Sequence, residues 1–483
     1  MAHSQPTSSI ALVILAFGLL LAPLSRVALA QEDEQKTVLQ VTTDSEEAEA
    51  HFWKGVYDAE NIFFTRSTTH FEQALSLDPD FAMAHFMHAA VVPGLNQAQR
   101  LEKMEQAIAD LANASTGELL FAMALREQVR GNNDARHALL EAAAEMMPYD
   151  PHIAFQHAGT VGAGGSPERV EAWRRVTEEF PDEAAAHNLL AYALWFTGDE
   201  AGARAAVKKY LELAADHPNS HDSYAELFQF SGMYSEAATH YGHAIKMDES
   251  YFAGYTGLAE AHLLMGDADT AREFLVQGEP HAATDGARAN LMRAEANTYL
   301  MEGDIKEAMK KLKIASEWAE ANEVNGPAAQ AYRELAVAEA MYGEPDRVQQ
   351  YLDKAVAVQG ENVGHHAWSA LAYGMAGDKE ATRKAADAIE EADGGSALVN
   401  TFDGLALLVA GDHEAAGAAL TRSGLQSPMS RALMAWCQKE MGHEAEARNF
   451  AESVLNDSQF VVNDLNFTFA RLILSAYDLN PNE

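Results

Sequence analysis

Apolar residues recur along much of the chain at the spacing of an amphipathic helix. Between residues 201 and 214, Val207, Tyr210 and Leu211 fall on one stripe with several alanines, while Arg204 and Lys208 lie elsewhere on the helix surface. No stretch has a comparable strict alternation of apolar and polar residues, which would indicate β-strands. The pattern therefore predicts an all-α fold.

A glycine followed by a turn-tolerant residue recurs at a nearly constant interval. The spacings are 34, 33, 34, 34, 37, 40, 34, 34 and 31 residues. Glycine suits the left-handed conformation that ends one helix and begins a tight turn, and a period near 34 indicates an array of helix-turn-helix units. The glycines are Gly131, Gly165, Gly198, Gly232, Gly266, Gly303, Gly343, Gly377, Gly411 and Gly442.

Small residues keep the same period as these glycines. Residues of this size let the two helices of a unit cross closely, whereas Leu or Phe would separate them. Five residues after each glycine the second helix carries Ala or Val, except at Arg136 and Thr382. Seven residues before each glycine stand Ala124, Ala158, Ala191, Ala225, Ala259, Ala296, Ala336, Ala370, Gly404 and Ala435.

These ladders resemble the tetratricopeptide repeat family. Near the start, Gly55, Phe71, Ala74 and Pro79 fit family positions 8, 24, 27 and 32. The best match is residues 218–251, where positions 7, 8, 11, 15, 20, 24 and 27 hold Tyr224, Ala225, Phe228, Gly232, Ala237, Tyr241 and Ala244. The resemblance implies a right-handed α-solenoid of about twelve such units, closed by a C-terminal capping helix.

The N-terminus has the features of an export signal. An apolar run from Ile10 to Ala22 is too short to span a bilayer, which needs roughly 20 residues in a helix, and Ala28-Leu29-Ala30 offers small residues for cleavage. The segment departs from the usual pattern because Met1 to Ser9 contains no Lys or Arg. We expect an exported protein, periplasmic or extracellular, with no transmembrane helix in its mature chain.

The predicted organisation follows from these features. It consists of a signal peptide at 1–30, an acidic leader at 31–47, two divergent units at 48–116, about ten units at 117–460 and a capping helix at 461–483.

Composition and charge exclude several classes of protein. With 48% hydrophobic residues the chain is not a disordered tail, and a single cysteine cannot form an intrachain disulfide. A net charge of -38 opposes binding to nucleic-acid phosphates, so no nucleic acid is expected as a partner. The chain also lacks G-x-S-x-G, P-loop, calcium-loop and Cys-x-x-Cys motifs, and we therefore predict no enzyme and no cofactor.

A row of residues on the first helices provides a candidate binding site. In the resembling family, positions 2, 5, 9 and 12 of each first helix line the concave face. An aromatic stretch followed by a basic one there would suit an extended peptide with apolar anchors and a carboxylate. For Phe155 and Tyr192, packing against neighbouring units stays the alternative. The candidate residues are Phe121, Phe155, Tyr192, Trp195, Arg293, Asn297 and Arg333.

Histidine and methionine residues suggest a second function. Met83, His85, Met87 and His88 could place metal ligands on one helix. His217 and His221, or His240 and His243, are likewise spaced to share a helix face or neighbouring turns. The repeat register competes with this reading, because residues such as His51, His187 and His221 occupy position 4, where a flat side chain packs between helices. The sequence thus favours a protein-binding scaffold, and the alternative is an envelope carrier of copper-type metal or a metallocofactor.

Overall fold

The computed structural model describes residues 38–111, 114–393, 396–455 and 465–479. Within these ranges the chain forms α-helices, two short 3-10 turns and connecting segments, without a β-strand. The predicted all-α fold is confirmed. The helices are α1 (Glu46–Glu60), α2 (Phe64–Leu77), α3 (Ala82–Val91), α4 (Gln97–Asp110), α5 (Thr116–Arg130), α6 (Asn133–Met146), α7 (Pro151–Ala158), α8 (Pro167–Glu179), α9 (Ala184–Phe196), α10 (Glu200–Leu213), α11 (Pro218–Phe230), α12 (Tyr234–Met247), α13 (Phe252–Leu264), α14 (Ala268–Gly278), α15 (Asp285–Glu302), α16 (Ile305–Ala321), α17 (Asn325–Tyr342), α18 (Val348–Gln359), α19 (Val363–Met375), α20 (Lys379–Asp393), α21 (Ala397–Ala410), α22 (His413–Arg422), α23 (Pro428–Glu440), α24 (Glu444–Leu455) and α25 (Leu465–Ala476).

The helices from α1 to α24 pack as consecutive pairs, and the second helix of each pair contacts the first helix of the next. This arrangement is an α-solenoid, because each unit is stabilised mainly by its neighbours along the chain. The last helix, α25, packs on α23 behind the final pair. Among the described helices, none is both long enough and apolar enough to cross a membrane.

Small residues stand where the helices of a pair cross, as the period predicts. The ten small residues that stand seven positions before the periodic glycines are all buried. The reason is visible at Gly55 of α1, where an added Cβ would lie 2.7 Å from Cε1 of Phe71 in α2. At Gly404 of α21 an added Cβ would lie 2.6 Å from Cγ of Leu420 in α22. A larger side chain at either position would force the helices apart.

The periodic glycines make the turns between paired helices. Of the ten, Gly343 alone has a negative φ, at -119°, and the chain then forms the 3-10 turn Pro345–Arg347 before α18. The residue after the glycine often caps the second helix, as Asp199 does by accepting a hydrogen bond from the Gly202 amide at 2.9 Å. A positive φ is found at Gly131, Gly165, Gly198, Gly232, Gly266, Gly303, Gly377, Gly411 and Gly442.

The first helix pair also contacts units far along the chain. The ring of Trp53 stacks on His152 at the start of α7, with 5.0 Å between centroids and 10° between planes. Nε2 of His217, directly before α11, lies 3.0 Å from Oδ1 of Asp58 in α1. The first six pairs therefore curve until the first meets the sixth, and the inner face of the solenoid is enclosed at this end.

An extended segment precedes α1 and runs across the ends of the next units. The amide of Leu39 donates to Oδ2 of Asp150 at 2.8 Å, and the amide of Thr42 donates to Oε1 of Glu118 at 2.6 Å. Leu39 is buried in the core of the first pairs. The end of the predicted acidic leader is thus packed against the repeats, while the predicted signal at 1–30 lies outside the described residues.

The C-terminal helix makes a similar long-range contact. Phe469 of α25 packs edge-on against Trp368 of α19, with ring centroids 5.4 Å apart. A guanidinium nitrogen of Arg471 lies 4.0 Å from Sδ of Met301 in α15. The helix therefore covers the last pair and also reaches back to earlier pairs.

Candidate functional site

A cavity of about 470 Å³ lies on the inner side of the first five helix pairs, and we call it the inner cavity. Its volume is within the range of ligand-binding pockets, roughly 300–1,000 Å³. Each first helix of these pairs contributes an apolar wall residue. These residues are Val56 of α1, Met87 of α3, Leu125 of α5, Phe155 of α7 and Leu189 of α9.

Two of the predicted aromatic residues, Phe121 and Phe155, line this cavity together. They are 1% and 8% exposed, so they shape the wall but offer little free surface. Phe64, at the start of α2, also lines the cavity and is 44% exposed. Of these three rings, Phe64 therefore gives a ligand the largest accessible aromatic surface.

Two arginines, Arg136 of α6 and Arg169 of α8, supply the positive charge of the inner cavity. Arg136 donates to Oε1 of Gln156 at 3.0 Å, and Arg169 donates to the backbone oxygens of Gly159 and Gly162 at 2.8 and 2.7 Å. Within the described ranges, neither guanidinium forms an ion pair with a carboxylate. Burial lowers the pKa of Arg136, and so does the neighbouring charge of Arg169.

A carboxylate on the same wall is already neutralised. Glu60, at the end of α1, lines the inner cavity, and its Oε2 accepts a hydrogen bond from Nδ1 of His152 at 2.8 Å. Although burial lowers the pKa of His152, the charge of Glu60 raises it to about 9. The charges of Arg136 and Arg169 therefore remain available to an anionic ligand.

Tyr192 and Trp195 of α9 lie outside the inner cavity. The hydroxyl of Tyr192 donates to the carboxylate of Glu226 in α11. Trp195 is 4% exposed and packs at 5.6 Å between ring centroids on Phe230. Both side chains thus contact the neighbouring unit, as the packing alternative expects of Tyr192.

A second pocket, of about 340 Å³, brings Arg293 and Asn297 of α15 together. Nη2 of Arg293 lies 2.5 Å from Oε1 of Glu334 in α17, a residue with 0% exposure. The charge of Arg293 is therefore compensated inside the protein, and an incoming carboxylate would have to compete with Glu334.

Arg333, the third predicted basic residue, does not line this pocket. It is 5% exposed, and its guanidinium donates to Oε1 of Gln359 at 2.8 Å. Burial lowers its pKa. Arg333 is thus a buried residue between α17 and α18 rather than part of the Arg293 pocket.

The suggested metal ligands of α3 have separate environments. Met83 and Met87 are buried in the core, whereas His85 is exposed and Nε2 of His85 hydrogen bonds to the carbonyl of Pro79 at 2.7 Å. Nε2 of His88 lies 3.6 Å from Oε1 of Glu72. The thioethers and the exposed imidazole therefore do not converge on one point.

Two other clusters bring three possible ligand atoms within 4.8 Å of one another, Glu60 with His152 and Glu183, and His221 with His240 and His243. In the first, burial and then the charge of Glu60 raise the pKa of Glu183 to about 7. The His152–Glu60 ion pair described above accounts for this cluster. In the second, burial and the neighbouring imidazoles lower the pKa of His221 to about 4.

The residues that sequence reasoning missed are Phe64, Arg136 and Arg169. One signal was present, because Arg136 interrupts the ladder of small residues five positions after the periodic glycine. A charged residue at a helix crossing is unusual, since burial of a charge costs free energy unless the charge is paired and hydrogen bonded. Phe64 and Arg169 carry no such mark in the sequence.

The architecture and the enclosed inner face define the class of the protein, an α-solenoid built from helix pairs. Models of the tetratricopeptide repeat match residues 184–217, which span α9 and α10, and residues 231–296, which run from α12 into α15. Residues 184–217 and 231–296 therefore contain tetratricopeptide repeats. Arrays of this kind present extended concave binding surfaces and generally serve as interaction scaffolds without enzymatic activity.

No curated protein sequence matches the chain. Similar solved structures include the APC/C hetero-tetramer Cut9-Hcn1, at 16% identity over 78% of this chain and 76% of that chain, with a TM-score of 0.39. YrrB, a TPR protein with an unusual peptide-binding site, has 18% identity over 41% and 96% of the two chains and a TM-score of 0.28. PilF of Pseudomonas aeruginosa has 16% identity over 46% of this chain and 97% of that chain, with a TM-score of 0.33.

Proposed function

We propose that the protein is a non-catalytic scaffold that binds an extended segment of a partner protein in the inner cavity. The observation that carries the proposal is the pair Arg136 and Arg169, which lie without a carboxylate partner among the described residues on the wall of an apolar cavity. In a chain with net charge -38, two uncompensated cations at one place favour an anionic ligand.

The ligand follows from the chemistry of the walls. Phe64, Leu125 and Leu189 offer apolar contact, and the two guanidinium groups offer charge-assisted hydrogen bonds. The partner segment therefore carries apolar side chains next to a carboxylate, which is either an Asp or Glu side chain or a free C-terminus. This proposal keeps the type of peptide expected from the sequence and moves the anionic anchor from Arg293 to Arg136 and Arg169.

Selection from a library of random ten-residue peptides with free C-termini tests the proposal. We expect enrichment of peptides that combine apolar residues with Asp, Glu or the terminal carboxylate. Binding of synthetic versions with an amidated terminus, or with Asn and Gln in place of the acids, then identifies which carboxylate is recognised. Enrichment without any acidic preference would contradict the proposed anion site.

Substitutions of cavity residues test whether the selected peptides bind in the inner cavity. Arg136→Gln with Arg169→Gln should weaken binding at least about tenfold, since a hydrogen bond to a charged group contributes about 1.5–3 kcal/mol. Phe64→Ala should also weaken it. The control is Arg174→Gln with Arg175→Gln, which removes two exposed arginines of α8 outside the cavity. Equal affinity of the two double variants would rule out the inner cavity as the binding site.

Export to the periplasm or the exterior is a second part of the proposal, and the segment Ile10 to Ala30 supports it. Cell fractionation followed by mass spectrometry of the intact protein tests it. We expect a mature chain that begins at Gln31 in the exported fraction. Recovery of the uncleaved chain from the cytoplasm would contradict this expectation.

A further inference from the structure

Three histidines of the sixth helix pair lie around one point between α11 and α12. His221 comes from α11, and His240 and His243 lie one turn apart on α12. Nδ1 of His221 is 3.0 Å from Nδ1 of His240. The ring centroid of His243 lies 5.3 Å from that of His221 and 5.5 Å from that of His240. One ring nitrogen from each residue lies within 4.8 Å of the other two.

We propose that His221, His240 and His243 bind a divalent transition-metal ion of the Zn²⁺ type. Imidazole nitrogen is a favoured ligand for such ions. Two nitrogens bound to tetrahedral Zn²⁺ at about 2.0 Å are about 3.3 Å apart, so the His221–His240 pair is already close to the required separation. His243 is exposed and can complete the site by rotation of its side chain.

Neighbouring groups hold two of the rings in place. A hydrogen bond to the backbone of Ala215 holds His221, whose Nδ1 faces His240. The ring of Tyr224 packs on His240 at 4.2 Å between centroids, and the hydroxyl of Tyr224 donates to Oε1 of Glu236 at 2.9 Å. Metal-binding histidines are commonly oriented in this way through their second nitrogen and their surroundings.

The geometry also indicates the kind of metal site. With three imidazoles and an exposed third ligand, the fourth coordination position opens to water rather than to a protein side chain. Structural zinc sites are closed by four protein ligands, whereas three-ligand sites exchange their fourth ligand. The site of the sixth pair therefore binds an ion that exchanges with the solution and leaves one position open.

The first helix pair supplies an internal comparison. The equivalent positions of α1 and α2 hold His51, His70 and Gln73, and Nδ1 of His51 lies 3.2 Å from Nδ1 of His70. Packing of flat rings between helices accounts for a pair of histidines at these positions in both units. It does not account for the third imidazole, which only the sixth pair has.

Titration of ZnCl₂ into protein purified without a histidine tag, in a buffer that does not bind metal, tests the proposal by calorimetry. We expect one high-affinity equivalent. His243→Gln gives the sixth pair the ligand set of the first and should weaken binding at least about tenfold, a loss typical of an impaired metal site. His70→Asn, in the first pair, should leave the affinity unchanged.

A spectroscopic measurement separates metal binding from a folding defect. Co²⁺ should give visible absorption bands of a tetrahedral nitrogen site in the wild type and in His70→Asn, and lose them in His240→Asn, while circular dichroism confirms helicity in all variants. Absence of a high-affinity equivalent would overturn the proposal. An unchanged affinity in His243→Gln, or loss of binding in His70→Asn or Glu183→Gln instead, would overturn it as well.

Discussion

The carboxylate of Asp58 in the first helix pair contacts the imidazole of His217 at 3.0 Å, across 159 residues of sequence. Asp58 also accepts hydrogen bonds from Arg66 at 2.6 and 2.8 Å, and it is 2% exposed. Although burial raises the pKa of Asp58, its hydrogen bonds to His217 and Arg66 hold it below the ordinary value. This contact joins the start of the solenoid to its sixth pair.

Removal of the buried carboxylate should open this junction. Asp58→Ala should cost about 3 kcal/mol, because it leaves His217 and Arg66 without their buried partner. Hydrogen exchange of the α1 amides, together with urea unfolding, measures the change. The matched control is Asp216→Ala, since Asp216 contacts the same two residues but its side chain is 75% exposed. The control should cost less than about 1 kcal/mol, and equal losses would contradict the role of Asp58.

The cluster of Glu60, His152 and Glu183 should make the stability of the protein depend on pH. His152 has a folded pKa of about 9, above its unfolded value, so its stabilising effect is complete below its unfolded pKa and is lost as the pH rises towards 9. Glu183 has a folded pKa of about 7, so the fold disfavours its charged form and loses stability as the pH rises from the unfolded pKa to 7.

Both effects have the same sign, so the free energy of unfolding should fall as the pH rises from about 5 to about 9. Glu183→Gln removes the lower part of this dependence because Gln cannot ionise. Urea midpoints measured at several pH values for the wild type and this variant give the difference. Parallel pH profiles of the two proteins would show that Glu183 does not titrate as described.

Close packing between the sixth and seventh helix pairs can be tested with two glycines. An added Cβ at Gly257 of α13 would lie 2.3 Å from Cε1 of Tyr241, whose ring is buried, so Gly257→Ala should cost about 1–3 kcal/mol. Gly242 of α12 has no atom within 4 Å of an added Cβ, and Gly242→Ala should stabilise by up to about 1 kcal/mol. Thermal unfolding of both variants shows whether each substitution lowers or raises stability. A stabilising Gly257→Ala would contradict the close contact between Gly257 and Tyr241.

Two adjacent aromatic residues of α9, one buried and one exposed, should differ in their contribution to stability. Trp195 is 4% exposed and Phe196 is 64% exposed. Trp195→Ala should cost about 3–5 kcal/mol through the cavity that it creates, whereas Phe196→Ala should stay within about 0.5 kcal/mol of the wild type. Denaturant unfolding measures both values. A stable Trp195→Ala variant would restore Trp195 as a candidate for direct partner contact.

The candidate site was only partly predictable from the sequence. Phe121 and Phe155 were selected from the repeat register, and they do line one cavity. The register could not reveal that Glu334 neutralises Arg293, because this ion pair joins two units. The repeat register favours packing for His221, and its position beside His240 and His243 depends on how α11 lies on α12.

The sequence by itself determined the repeating unit. Periodic glycines set the turns, and small residues such as Ala225 and Gly404 set the close helix crossings, since both are local properties that recur with the chain. Tertiary structure decided the rest, including the approach of His217 to Asp58 and the enclosure of Arg136 and Arg169 in one cavity. Small rotations between successive units add up along a solenoid, so where distant units meet depends on their sum and not on any single position.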